Sequence, residues 1–89
     1  MAIQLENSAR CTTDDWWALK NKGTQTFEVL LPFKICEGAQ FDGGYYMRND
    51  AWNWCVDNLK SPWYSGISFK PTLETTSQED AALFKLFWL

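Results

Sequence analysis

The clearest alternation of apolar and polar positions runs from Asn49 to Lys60. Trp52, Cys55, Val56 and Leu59 fall at i, i+3, i+4 and i+7. At 100° per residue they share one stripe, which predicts a half-buried helix over Asp50–Lys60. Asn49 suits an N-cap and Asp50 the positive end of the helix dipole. Lys60 falls in the last turn, and Pro62 stops any continuation. Trp54 points away from the stripe, among Asp50, Asn53 and Asp57. It needs either a second layer over it or solvent.

A second helix is predicted over Gln78–Trp88. Ser77 would cap it, with Asp80 three residues on in an approximate capping box. Leu83, Phe84 and Phe87 read as its core stripe, flanked by Leu86. The run Phe87-Trp88-Leu89 is expected to be docked rather than frayed.

Period-two alternation predicts strands over Thr24–Leu31 and Trp63–Lys70. In the first, Phe27, Val29 and Leu31 share a face, and Pro32 ends it. In the second, Trp63, Ile67 and Phe69 share a face, and Pro71 closes it. Leu73–Thr76 reads as a connection. Ile3 and Leu5 alternate briefly, as an edge strand or a tail. Phe33–Cys36 reads as a short extension, Glu37–Gly44 as a glycine-punctuated loop, and Gly44–Met47 as extended. The stretch from Trp16 has two readings. Thr12-Thr13-Asp14-Asp15 caps a short helix ending at Gly23, or Trp16–Lys20 pairs with Thr24–Leu31 in a hairpin around Asn21-Lys22-Gly23. The hairpin is the preferred reading.

Together these elements predict one α+β domain over residues 1–89: a small, largely antiparallel sheet of three or four strands with two helices packed on one face. The predicted core is Phe27, Val29, Leu31, Trp52, Cys55, Val56, Leu59, Ile67, Phe69, Leu83, Phe84 and Phe87.

Composition adds one feature to this picture. Aromatic residues make up 17% of the 89, with six Trp, six Phe and three Tyr. Rings this large fill a core with few residues, and some should remain at the surface, favouring self-association or a partner. The formal charge is −3, and the eight Lys and Arg are scattered. A nucleic-acid backbone therefore has no electrostatic footprint here.

The chain has no His. That removes the usual general base, the Ser–His and Cys–His pairs, and most zinc sites. Asp14-Asp15 and Glu79-Asp80 read as helix-start acids rather than metal ligands, and no phosphate-binding fingerprint occurs. No enzyme activity, cofactor or metal is expected. Cys11, Cys36 and Cys55 lack CxxC spacing. With no secretory signal and no long apolar run, a reduced cytoplasmic chain with free thiols is expected, a Cys11–Cys36 bridge being the alternative. No membrane association is expected either.

The C-terminal half has a resemblance. Trp54-Cys55 on a helix, then Ile67 and Phe69, then Glu79-Asp80-Ala81 with Phe84, Leu86 and Trp88, resemble small uncharacterised proteins of tailed bacteriophages. The resemblance implies a small phage-type domain with a strand–helix end, and it carries no active site.

Function then falls to the aromatic excess. Adjacent ring pairs on strands point to opposite faces, so Trp16-Trp17, Tyr45-Tyr46 and Trp63-Tyr64 each offer a ring to solvent. With Trp54 these seven are the candidate partner-binding residues. The leading expectation is a phage-type accessory protein that binds and inhibits a host protein or defence complex. A single-stranded nucleic-acid binder using stacked rings and a self-assembling homo-oligomer are the alternatives.

Overall fold

The computed structural model describes residues 9–39 and 43–89. The Ile3–Leu5 alternation lies outside them, as does the tip of the 37–44 loop. Among these residues the fold is a small α+β arrangement of three helices and two antiparallel sheets. Its elements are α1 (Thr13–Asn21), β1 (Phe27–Leu30), a 3-10 turn (Phe33–Ile35), β2 (Cys36–Gly38), β3 (Tyr45–Met47), α2 (Asn49–Asn58), β4 (Trp63–Tyr64), β5 (Thr72–Thr75) and α3 (Gln78–Trp88).

The first sheet has the order β1-β5-β4, with Val29 opposite Leu73 and Trp63 opposite Thr75. Segment 9–11 borders β4: the Cys11 amide donates to Trp63 O at 2.8 Å, and the Trp63 amide to Ala9 O at 3.1 Å. The second sheet is the hairpin of β2 and β3, with Cys36 opposite Met47.

Pleating sends Val29, Trp63, Leu73 and Thr75 to one side of the first sheet, where they are buried. There Val29, Trp63 and Leu73 join Cys55 and Leu59 from the second helix region and Ala81 and Phe84 from α3 in one core cluster. The expected pair of helices, α2 and α3, is therefore present. A third helix, α1, lies on the other side, against Tyr64 and Glu74. Its Trp16 ring stacks on Tyr64 with centroids 6.1 Å apart. The Trp16 indole N–H donates to Glu74 at 3.4 Å, and Lys20 pairs with the same carboxylate at 3.5 Å.

This replaces the expected hairpin at 16–20 with a helix, and the reason is local. Thr12 Oγ1 accepts from the Asp15 amide at 3.2 Å, and the Asp15 carboxylate accepts from the Thr12 amide at 3.4 Å. That capping box satisfies two backbone donors that would otherwise be orphaned, and Asp14 and Asp15 face the positive end of the dipole. Gly23 supplies the left-handed turn after the helix, at φ 84°. Thr12→Ala is expected to cost about 1 kcal/mol, read as a lower urea midpoint at unchanged slope. An unmoved midpoint would show that α1 is held by Trp16 packing alone.

A second difference concerns 63–70. The strand stops after Tyr64. A Cβ on Gly66 would fall 2.5 Å from the Tyr64 hydroxyl oxygen, so a larger residue there would push the Tyr64 ring aside. The chain then leaves the first sheet and joins β3: the Tyr45 amide donates to Ser68 O at 2.8 Å, and Ser68 N to Tyr45 O at 3.0 Å. Ile67 and Phe69 are therefore exposed instead of lying in the core. Their place is taken by β5 (Thr72–Thr75), which overlaps the expected connection Leu73–Thr76 and is the central strand. Thr72 and Thr75 are good strand formers, and Leu73 and Thr75 are fully buried.

The helix ends also differ in detail. Arg48, not Asn49, holds the N-cap position of α2, without a side-chain cap. Ser77 Oγ accepts from the Asp80 amide at 3.1 Å as expected. The Asp80 carboxylate turns elsewhere, accepting from the Lys60 and Ser61 amides at 3.0 and 2.9 Å. It thereby fixes the exit from α2 to the start of α3. On α3 the buried positions are Asp80, Ala81 and Phe84, with Trp88 half-buried; Leu83 and Phe87 are exposed, against expectation.

Candidate functional site: an apolar cleft and its aromatic rim

The 3-10 turn brings Ile35 into the core and leaves Phe33 outside. Phe33 meets Tyr45 of β3, ring centroids 5.1 Å apart. Across β3 the backbone bridge to Ser68 lays Ile67 against Gly44 and Phe69 against Gly43. Tyr45 shares a face with its bridge partner Ser68, so Phe33 and Tyr45 lie on one side, while Ile67 and Phe69 project to the other as an exposed strip, Ile67 56% and Phe69 71% exposed.

Next to this strip lies a cleft of about 340 Å³, lined by Tyr46, Met47, Asn49, Trp52, Ser65, Gly66 and Ile67. Its size is at the lower end for a ligand or side-chain pocket, and its mix of rings with a few polar groups is typical. None of its lining residues carries a formal charge. Trp52 forms the inner wall and is held edge-on by buried Trp63, centroids 5.1 Å apart. The Ser65 hydroxyl is already used, donating to Thr72 O at 2.8 Å. The Tyr46 hydroxyl donates to Glu37 at 3.1 Å. That hydrogen bond, with the carboxylate charge behind it, pushes the Tyr46 phenol up from its ordinary value. A neutral, apolar group is what this cleft can hold.

The seven candidate rings do not form one patch. Tyr46 lines the cleft, whereas Tyr45 packs on Phe33 on the other face of β3. Trp16 and Trp63 are buried, so neither can touch a partner while the chain is folded. Trp17 is exposed on α1 with Lys20 above its ring at 5.4 Å. Tyr64 is half-buried between Trp16 and a 3.2 Å hydroxyl contact with Thr13. Trp54 has the second layer that its position called for. Phe87 stacks on it at 5.1 Å, and Phe84 and Trp88 meet it edge-on at 5.9 and 6.4 Å. Trp54 is therefore half-buried and packed, not a free surface anchor.

Phe33, Ile67 and Phe69 were not among the candidates. Ile67 and Phe69 carry a core-strand alternation, and only the turn at Gly66 reveals that they leave the core.

All three cysteines are free thiols, so Cys11 and Cys36 are not bridged. Burial pushes the Cys55 thiol up to about 12, with the Asp80 charge adding to it. It lies 3.9 Å from Met47 Sδ and behaves as a small core hydrophobe. Burial also raises Cys11 and Cys36. Among the described residues, no three His, Cys, Asp or Glu side chains gather as a metal site. No helix among them is long and apolar enough to cross a membrane. Compared with known proteins, the chain matches no family model, no curated protein and no solved structure.

Proposed function

We propose that this chain is a phage-type accessory module that binds a host protein and inhibits it by occupancy, without catalysis. The observation that carries the reading is the exposed Ile67 and Phe69 beside an uncharged cleft. Large apolar side chains left together in water mark contact surfaces, and a cleft of this size accepts one anchoring side chain from a partner. The viral part of the reading rests on the C-terminal resemblance alone. A nucleic-acid ligand is less well supported, because no Lys or Arg lines the cleft.

The test is affinity capture from bacterial lysate with the wild-type chain and with Ile67→Lys and Phe69→Ser. Both positions are exposed, so circular dichroism and the melting temperature should be nearly unchanged. One dominant protein held by the wild type and lost by both variants is the expected result. Equal capture by all three chains would refute the cleft as the binding site.

A further inference from the structure

The two edges of the first sheet differ. Along β4 the backbone is paired with segment 9–11, whereas the edge at β1 is open. The Leu31 amide donates to Pro71 O at 3.0 Å, and in an antiparallel ladder every second residue repeats that direction. Phe27, Val29 and Leu31 therefore turn their backbone groups to β5, and Glu28 and Leu30 turn theirs outward. Among the described residues, neither of those two has a backbone partner on that side. Two donors and two acceptors thus stand in a row, each pair about 7 Å from the next. Such a row is matched by another extended backbone.

Beside this edge runs a groove of about 380 Å³ between β1 and α3, with Phe27 on one wall and Ala81, Ala82 and Lys85 on the other. Lys85 is exposed, and among the described residues it has no ion-pair partner. Pleating turns the Glu28 side chain to the opposite face. There it lies across from Glu74, whose carboxylate is already paired with Lys20, so Glu28 also has no cation among the described residues.

We infer that the β1 edge takes up an extended segment of a partner protein as a fourth, antiparallel strand. The unpaired charges define its chemistry. The residue opposite Glu28 is Lys or Arg. The next residue faces α3 and is Glu, its stem lying on Phe27 and Ala82 and its carboxylate at Lys85. The residue opposite Leu30 is apolar. Read from its N-terminus, the segment is apolar, any residue, basic, acidic. A second copy of β1 fits worse in each register that joins the outward residues. Glu28 would meet another Glu28, or Pro32 with no amide to give, or Leu30 with no cation. The inference rests on the sheet edge and not on the cleft, so it stands or falls separately from the host-binding reading.

The test is a titration of the isotope-labelled full chain with a short acetylated peptide containing Val-Thr-Lys-Glu, followed at the backbone amide signals. Binding should shift the Glu28 and Leu30 amides and slow their exchange with solvent. The Val29 amide, already bonded to β5, should keep its exchange rate. The peptide with its charges exchanged, Val-Thr-Glu-Lys, should bind about 10-fold more weakly. Lys85→Glu should weaken the first peptide by a similar factor, with the circular dichroism unchanged, and should bind Val-Thr-Lys-Lys in its place. No change at Glu28 and Leu30 with millimolar peptide would overturn the inference, as would equal binding of the two charge orders. So would protection of the same amides on raising the protein concentration alone, which would give the edge to a second copy.

Discussion

Trp63→Ala is expected to come close to unfolding the protein. The ring is 0% exposed and sits where the first sheet, α2 and segment 9–11 meet. Removing a buried aromatic ring costs ~3–5 kcal/mol, part transfer energy and part cavity. The whole stability of a small domain is only about 5–15 kcal/mol. At roughly 4–8 °C per kcal/mol for a chain of this size, the melting temperature should fall by about 15–30 °C. Trp63→Phe should cost much less, because the indole N–H has no hydrogen-bond partner among the described residues. A thermal melt of the three chains decides it. A fall of less than about 5 °C for the alanine variant would mean that Trp63 is not central to the core.

Asp80→Ala is expected to cost ~2–4 kcal/mol. The carboxylate is almost fully buried and accepts from two consecutive amides, Lys60 and Ser61. Each bond to a charged acceptor contributes about 1.5–3 kcal/mol, and losing it leaves a partly buried donor without a partner. The linkage also ties residues 60–61 to 80 across the fold, so the whole junction between α2 and α3 loosens. Asp80→Asn keeps an acceptor oxygen and should cost about half as much. Urea unfolding at neutral pH measures both. A loss below about 0.5 kcal/mol for Asp80→Ala would place those amides in water rather than in the junction.

The sequence made the two longer helices and the α+β class legible, because α2 and α3 persist over several turns with caps and breakers. It could not give the phase of α3. With Ala81, Leu83, Phe84, Leu86, Phe87 and Trp88 in one helix, apolar residues lie on nearly every side. Packing against β1 and β5 decides which side is inner, the one that carries Ala81 and Phe84. The strip at the cleft was hidden for a related reason. Ile67 and Phe69 alternate equally well in a core strand or on a surface segment, and the choice is made where the chain leaves β4 and Ser68 bridges to Tyr45. Strand β5 was missed because Leu73 is its one large apolar side chain. The short helix α1 was underweighted because two adjacent Trp fit a strand, whereas its capping box was visible in Thr12 and Asp15.

Strand β5 lies between β1 and β4, although it follows both in the chain. Neither earlier strand has its ladder partner until residues 72–75 have been synthesised. Phe84, which closes the core, comes later still. A nascent chain up to Pro71 therefore carries Trp63, Val29 and Cys55 with the first sheet unassembled. Joining β1 to β5 also closes a long loop, which slows folding. During that interval the emerging chain shows its most apolar surface to the cell, so aggregation is most dangerous there. Its yield in expression should depend more on conditions during synthesis than on the stability of the finished fold.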